Sequence, residues 1–487
     1  MGSCLVTGAV LVGLLAAGCR KSPSAEEDQQ PAEEPSAPAP PAPRCPEVKE
    51  AGSFLIGEPG PSSESADDDV ALPFAAELGS GVGYGEGFAV TALRARGGGT
   101  AAVVALVAPD VSRGRLVDLG PVHGGGPPPL IASFGDRLLV VVADSDAGGR
   151  RLRLATLSGT ASRGDVRWGA ELAQGRSDSE RFGLAVGAER GVLVWDEWDS
   201  RAGRGVVRLS TFALADIARA TPARNVSPEA SDVEGVQVAR RPGGYWLAWV
   251  SHSSYGADAG VAHPAPPPAP SVGSAQPDEV EDLPPVLDLG RRWLEVVPVG
   301  EDGSAGAPPL VVTPQDAHVV VFDLASGPDG SAWLTWRDDR TSPGAEKRSV
   351  NMARVRPDGA KELHVIQDER FGAGAASILV DSAPPAAGPV AWLALDGIND
   401  QMRIGALDER AVLVDALAPE AAIGRAEPVA VHGGTLLLAR PRGTAVELSA
   451  VACRAGLTLQ AEVAAGGPSA SAPERELPPF EDPDSEP

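Results

Sequence analysis

The stretch from Gly330 to Ala360 reads GSAWLTWRDDRTSPGAEKRSVNMARVRPDGA and divides into two strands of different character. Its first half, Trp333-Leu-Thr-Trp336, is apolar at nearly every residue, as suits a strand buried on both faces. Its second half, Val350-Asn-Met-Ala-Arg-Val355, alternates, and period-two alternation marks a half-buried strand. An isolated two-stranded hairpin is marginal in water. This one must belong to something larger.

The same pair of patterns occurs seven times. The apolar halves are 88–91, 138–141, 192–195, 246–249, 333–336, 392–395 and 436–439. The alternating halves start at Ala102, Leu152, Val207, Leu294, Val350, Met402 and Val446, spaced 44 to 56 residues apart with one interval of 87. That interval holds a Pro-rich, acidic insertion at about 256–290, inside the fourth hairpin. Further strand candidates precede the hairpins, at 183–186 and 319–322, or follow them, at 115–119, 310–313 and 412–416. Four strands per unit of about 50 residues predict an all-β fold, a β-propeller of seven four-stranded blades over residues 46–465. A sandwich needs no evenly repeated pattern, and a solenoid has shorter units. A two-domain β arrangement is the alternative.

The fifth unit resembles the W-x-D-x-R repeats of exported bacterial propeller proteins through Trp336, Asp338 and Arg340, then Ala353-Arg-Val355 and Asp358-Gly359. The third unit follows less closely, with Trp195, Glu197 and Asp199 but Arg at 201, and the first and seventh lack the motif. The resemblance covers the repeat layout of residues 84–465 and implies a fold more than an activity. Such residues also have a plain structural role, with Asp and Arg pairing across loops and Trp packing between sheets.

Residues 5–18 form an apolar run shorter than the roughly 20 residues of a membrane span, which makes 1–18 a signal peptide. Leu15-Ala-Ala-Gly-Cys19 resembles the lipobox of bacterial lipoproteins, with Ala16 where Leu is usual and no Lys or Arg ahead of the core. The resemblance implies that Cys19 carries a diacylglyceryl group and further acyl chains, palmitate among them. Arg20, where Asp would signal inner-membrane retention, implies the outer membrane. Ordinary cleavage and secretion is the alternative. A Pro/Ala/Glu tether (19–45) and an acidic tail (466–487) cannot bury a core and are expected to be disordered. Cys4 leaves with the signal peptide. Cys45 and Cys453 remain, and in an oxidising compartment they are expected to form one disulfide, with two free thiols as the alternative.

The net charge of −25 and pI near 4.7 exclude a nucleic-acid partner, because nothing would release counterions from phosphates. They equally exclude adsorption to an anionic lipid surface. No two of the six His stand at metal-ligand spacing, and no nucleophile elbow, P-loop or C-x-x-C is present. No metal or cofactor is expected. Gly83-x-Gly85-x-Gly87 lacks the helix of a phosphate site and reads as a flexible loop. Asp144-Ser-Asp146-Ala-Gly148 lacks the distal ligands of a calcium loop and reads as a solvated hairpin turn. Ser326–Trp333 superficially resembles the Asp-box of sialidase-type propellers, but its Asp stands one residue late and Pro-Asp-Gly is turn chemistry.

Acids precede the first strand of several units, at Asp178, Asp232, Asp316 and Asp368, with Glu180, Glu234 and Glu369 close by. In a propeller these would ring one mouth of the channel and hold a cation or basic ligand. The alternative is that they solvate the surface of an acidic protein. The sequence therefore points to a monomeric, non-catalytic binding or scaffold propeller, touching the membrane only through its lipid and taking a protein or glycan ligand. A carbohydrate-processing propeller enzyme is the alternative.

Overall fold

The computed structural model describes residues 52–58 and, with internal gaps of which 254–290 is the longest, residues 76–452. The described chain forms seven antiparallel sheets. Six follow the chain in order, as blades one to six, over residues 76–122, 130–175, 182–225, 232–311, 319–366 and 371–416. Each has four strands running from inside to outside, and blade three adds the two-residue strand Arg224–Asn225 beside its third. Blade seven takes three strands from the C-terminal part, Glu427–His432, Thr435–Arg442 and Ala445–Ala452. Its outer strand is Ser53–Ile56, from the other end of the described chain, in register from Ser53 opposite Ser449 to Ile56 opposite Val446. The inner strand of every blade touches the inner strand of the next, and that of blade seven touches blade one. The ring is closed. This is a seven-bladed β-propeller.

The repeated hairpin is the second and third strand of each blade. The second strand is sandwiched within its sheet and between two neighbouring blades, which is why its residues are apolar on both faces. In blade three, Val192, Leu193, Val194 and Trp195 are all buried. The side chains then sort themselves by parity. Val192 and Val194 enter a core shared with blade four, while Leu193 and Trp195 enter one shared with blade two. Three further cores join blades seven and one, one and two, and four and five. Trp246 and Trp336 occupy the last of these, so the Trp of the fifth-unit motif does pack between sheets. The closing strand is held in the same way. Ile56 is fully buried, which stabilises the closure by about 1.5–3 kcal/mol.

The glycines ahead of the first hairpin are not a loop. Gly79, Gly81 and Gly83 lie within the inner strand of blade one, Ala76–Tyr84, while Gly85 makes the turn and Gly87 opens the second strand. Inner strands crowd around the axis, and a Cβ at Gly79 would stand 2.2 Å from the Pro129 carbonyl oxygen of the adjoining linker. One at Gly83 would stand 2.5 Å from the His432 ring of blade seven. Missing side chains here are a packing requirement.

In blade four the second and third strands, Gly244–His252 and Arg292–Gly300, pair straight through to His252 opposite Arg292. The insertion between them lies outside the described residues, as do Cys19, Cys45, Cys453, the tether and the tail.

Candidate functional site

A cleft of about 260 Å³ opens between blades three and four, where the second strand of blade three (Arg190–Asp199) ends and the inner strand of blade four (Asp232–Arg241) begins. Asp196, Glu197, Trp198, Asp232, Glu234 and His252 line it. Strand direction explains the gathering. In each blade the inner strand starts, and the second strand ends, at the same rim of the disc. Acids before an inner strand thus meet residues that close a hairpin.

Most of these carboxylates are tied into the fold. Asp232 Oδ1 accepts the Gly205 amide at 2.7 Å, and its Oδ2 stands 3.5 Å from His252 Nδ1. Glu234 pairs with Arg292, whose Nε donates to the Val319 carbonyl at 2.9 Å and so links blades four and five. Glu197 accepts from Arg208 Nε at 2.6 Å and from Trp195 Nε1 at 3.1 Å. Asp196 is of another kind. In the hairpin register it faces Val207, and the matching position holds Leu93, Ala143 and Val250 in blades one, two and four, Arg337 and Asp396 in five and six. Burial pushes its carboxyl above the usual range, opposed by the Gly235 amide, which donates to Oδ2 at 2.6 Å; Glu234 adds to the rise. Gly235 occupies a β-bulge in the inner strand of blade four, a device that re-aims chain beside functional sites. Above this floor Trp198 is 45% exposed, a large aromatic face left to solvent.

Of the four acids of the expected ring, two lie among the described residues. Asp232 joins the cleft. Asp316 stands in the exposed turn Pro314–Ala317 and does not line it. Asp178 and Asp368 lie outside the described residues. The Asp of the fifth-unit motif, Asp338, holds the His318 amide at 3.2 Å, just before the inner strand of its own blade. Asp144 of blade two holds the His123 amide at 2.8 Å, where the linker leaves the outer strand of blade one. Both contacts are structural. Asp329 likewise caps its own turn through Ser331 and pairs with Arg354 Nη2 at 2.6 Å.

On the axis side, Asp323 of blade five accepts the Leu324 amide at 2.9 Å and the Ile378 amide of blade six at 2.8 Å. Gln237 of blade four donates to the Phe322 carbonyl at 2.7 Å. Asp323 keeps some accessible surface, and desolvation pushes its carboxyl up to about 6.

No family model matches this sequence, and no curated protein matches it. Solved structures similar to it include an α-L-arabinanase of Penicillium chrysogenum in complex with arabinobiose (11% identity, TM-score 0.45, 74% of this chain and 100% of that one). The polysaccharide lyase Uly1 is similar at 9% identity and TM-score 0.47, over 83% of this chain and 98% of its own. The propeller domain of the Trilobed protease of Pyrococcus furiosus is similar at 11% identity and TM-score 0.43, over 78% and 94%. At such identities and TM-scores nothing about activity carries over. The propeller stands on its own seven sheets.

Proposed function

We propose that this chain is a binding propeller held at the cell envelope by lipid on Cys19, with the cleft between blades three and four as its recognition site. A Cys45–Cys453 disulfide completes this reading by clasping the closing blade. The observation that carries the binding role is Trp198, exposed beside the carboxylates of Asp196, Asp232 and Glu234. An aromatic face edged with hydrogen-bond acceptors suits a glycan, whose ring stacks while its hydroxyls donate. Screening the mature protein against arrayed glycans, then titrating the best one calorimetrically, tests this. Trp198→Ala is expected to weaken binding at least tenfold while the melting temperature stays put. Retention of full affinity in that variant removes the cleft from the reading.

Asp196 favours a second reading, a carbohydrate-processing enzyme. A carboxyl whose hold on its proton burial strengthens, with the Glu234 carboxylate adding to that rise, is the kind of group that general acid catalysis at a glycosidic bond uses. Product release from a polysaccharide panel, abolished by Asp196→Asn, is the expected result. Turnover that survives in Asp196→Asn sinks this reading.

A further inference from the structure

The inner strand of blade four carries Asp232 at its start and Arg240 near its other end, roughly 26 Å away at a strand's rise of about 3.3 Å per residue. At that opposite rim Arg240 lines a second cleft, of about 550 Å³, together with Phe134, Asp136, Arg137 and the Gly187-Ala188 turn. Its walls are the turns joining inner and second strands in blades two and three.

Two observations set this cleft apart. The first is its charge. Arg137 and Arg240 are exposed and have no ion-pair or hydrogen-bond partner among the described residues, in a protein where acids outnumber bases 66 to 41. Asp136 is the one carboxylate in the lining itself, with Glu301 behind the Ala188 amide, so the two guanidinium groups are the cations that face the cleft. The second is its construction. The chain has three Tyr, and two of them brace these turns from the neighbouring blades. Tyr84 of blade one donates its hydroxyl to the Asp136 carbonyl, and Tyr245 of blade four donates to the Arg190 carbonyl at 2.6 Å. Glu301 of blade four holds the Ala188 amide at 3.5 Å. Walls fixed from both sides are what a preorganised site requires.

We propose that this cleft binds a small carboxylate-bearing saccharide, its carboxylate between Arg137 and Arg240 and its ring against Phe134. Guanidinium is the group suited to carboxylate, through paired N–H donors, and neither Arg holds a side-chain bond to another described residue that the ligand must displace. The volume falls within the roughly 300–1,000 Å³ of small-molecule sites. The inference is independent of the cleft at the other rim.

Calorimetric titration with a uronic-acid disaccharide, a neutral disaccharide of equal size and acetate tests it, in wild type, Arg137→Gln and Arg240→Gln. The uronate is expected to bind, the neutral sugar at least tenfold more weakly, and each variant to lose at least tenfold in uronate affinity. Affinity should also fall as salt rises. Acetate binding as tightly as the disaccharide overturns the saccharide, leaving an anion site only. No uronate binding at millimolar concentration, or affinity unchanged in both variants, overturns the site. Melting temperatures of the variants control for folding, and both residues are exposed enough to leave them unchanged.

Discussion

Asp323 holds its proton in the fold up to about pH 6, whereas an unfolded Asp releases it near 3.9. Between those values the native state binds more protons, so its contribution is complete below about pH 4 and lost as pH rises through about 6. The amount is about 2–3 kcal/mol. Urea denaturation from pH 4 to 7 is expected to show that decline in wild type and a flatter profile in Asp323→Asn. Parallel profiles would place the proton elsewhere. The sequence did not single out Asp323, because an acid inside an apolar strand reveals its environment only when neighbouring blades enclose it. Asp196 was more accessible to reading. It stands where three other repeats carry Leu93, Ala143 and Val250, and an alignment of the units by register would have exposed it. The W-x-D-x-R resemblance rests on Trp195, Glu197 and Asp199 and includes neither Asp196 nor Trp198. Asp232 stood out by its place at the start of an inner strand, while its partners Gly205 and His252 come from strands distant in sequence.

At the level of elements, second and third strands were legible in all seven blades because every blade presents them to its neighbours in the same way, so the same apolar and alternating patterns recur. Inner strands were legible in blades three and five, where 183–186 and 319–322 fall within Phe182–Val186 and Val319–Ser326, and not in the others. Their environment is the axis, where neighbouring blades decide what fits, and in blade one the answer is Gly79, Gly81 and Gly83, residues that locally signal a loop. Gly79→Ala must push a Cβ against the Pro129 carbonyl and is expected to cost about 1–3 kcal/mol in chemical denaturation. Gly99→Ala is the control. Its nearest neighbour would be the Arg96 carbonyl oxygen at 3.8 Å, and a change below about 0.5 kcal/mol is expected. Equal effects at the two sites would mean that strand propensity, not axial crowding, governs the first.

For the whole molecule, the repeat count and the closed ring follow from one feature of the sequence, even spacing, and the outlying interval follows from one insertion. What the repeat could not show is which strand closes blade seven, since Ser53–Ile56 is too short and too far from its partners to advertise itself. The proposed anchorage also belongs at this scale. Cys19→Ser is expected to move the protein from the membrane fraction to the soluble one, read by fractionation and blotting. A variant that still floats with membranes points to a protein partner instead. If the chain is anchored there, tension on the tether is delivered neither to the disc as a whole nor to either cleft. Once the proposed Cys45–Cys453 bond is reduced, it arrives at Ser53 and is borne by four residue pairs, from Ser53 opposite Ser449 to Ile56 opposite Val446. Peeling them away bares the edge of Ala445–Ala452, a strand whose alternate side chains are apolar and whose amides and carbonyls are then free to pair with another chain. The closing strand is a mechanical fuse. Under load the propeller fails first at its latch, and a failed latch is adhesive.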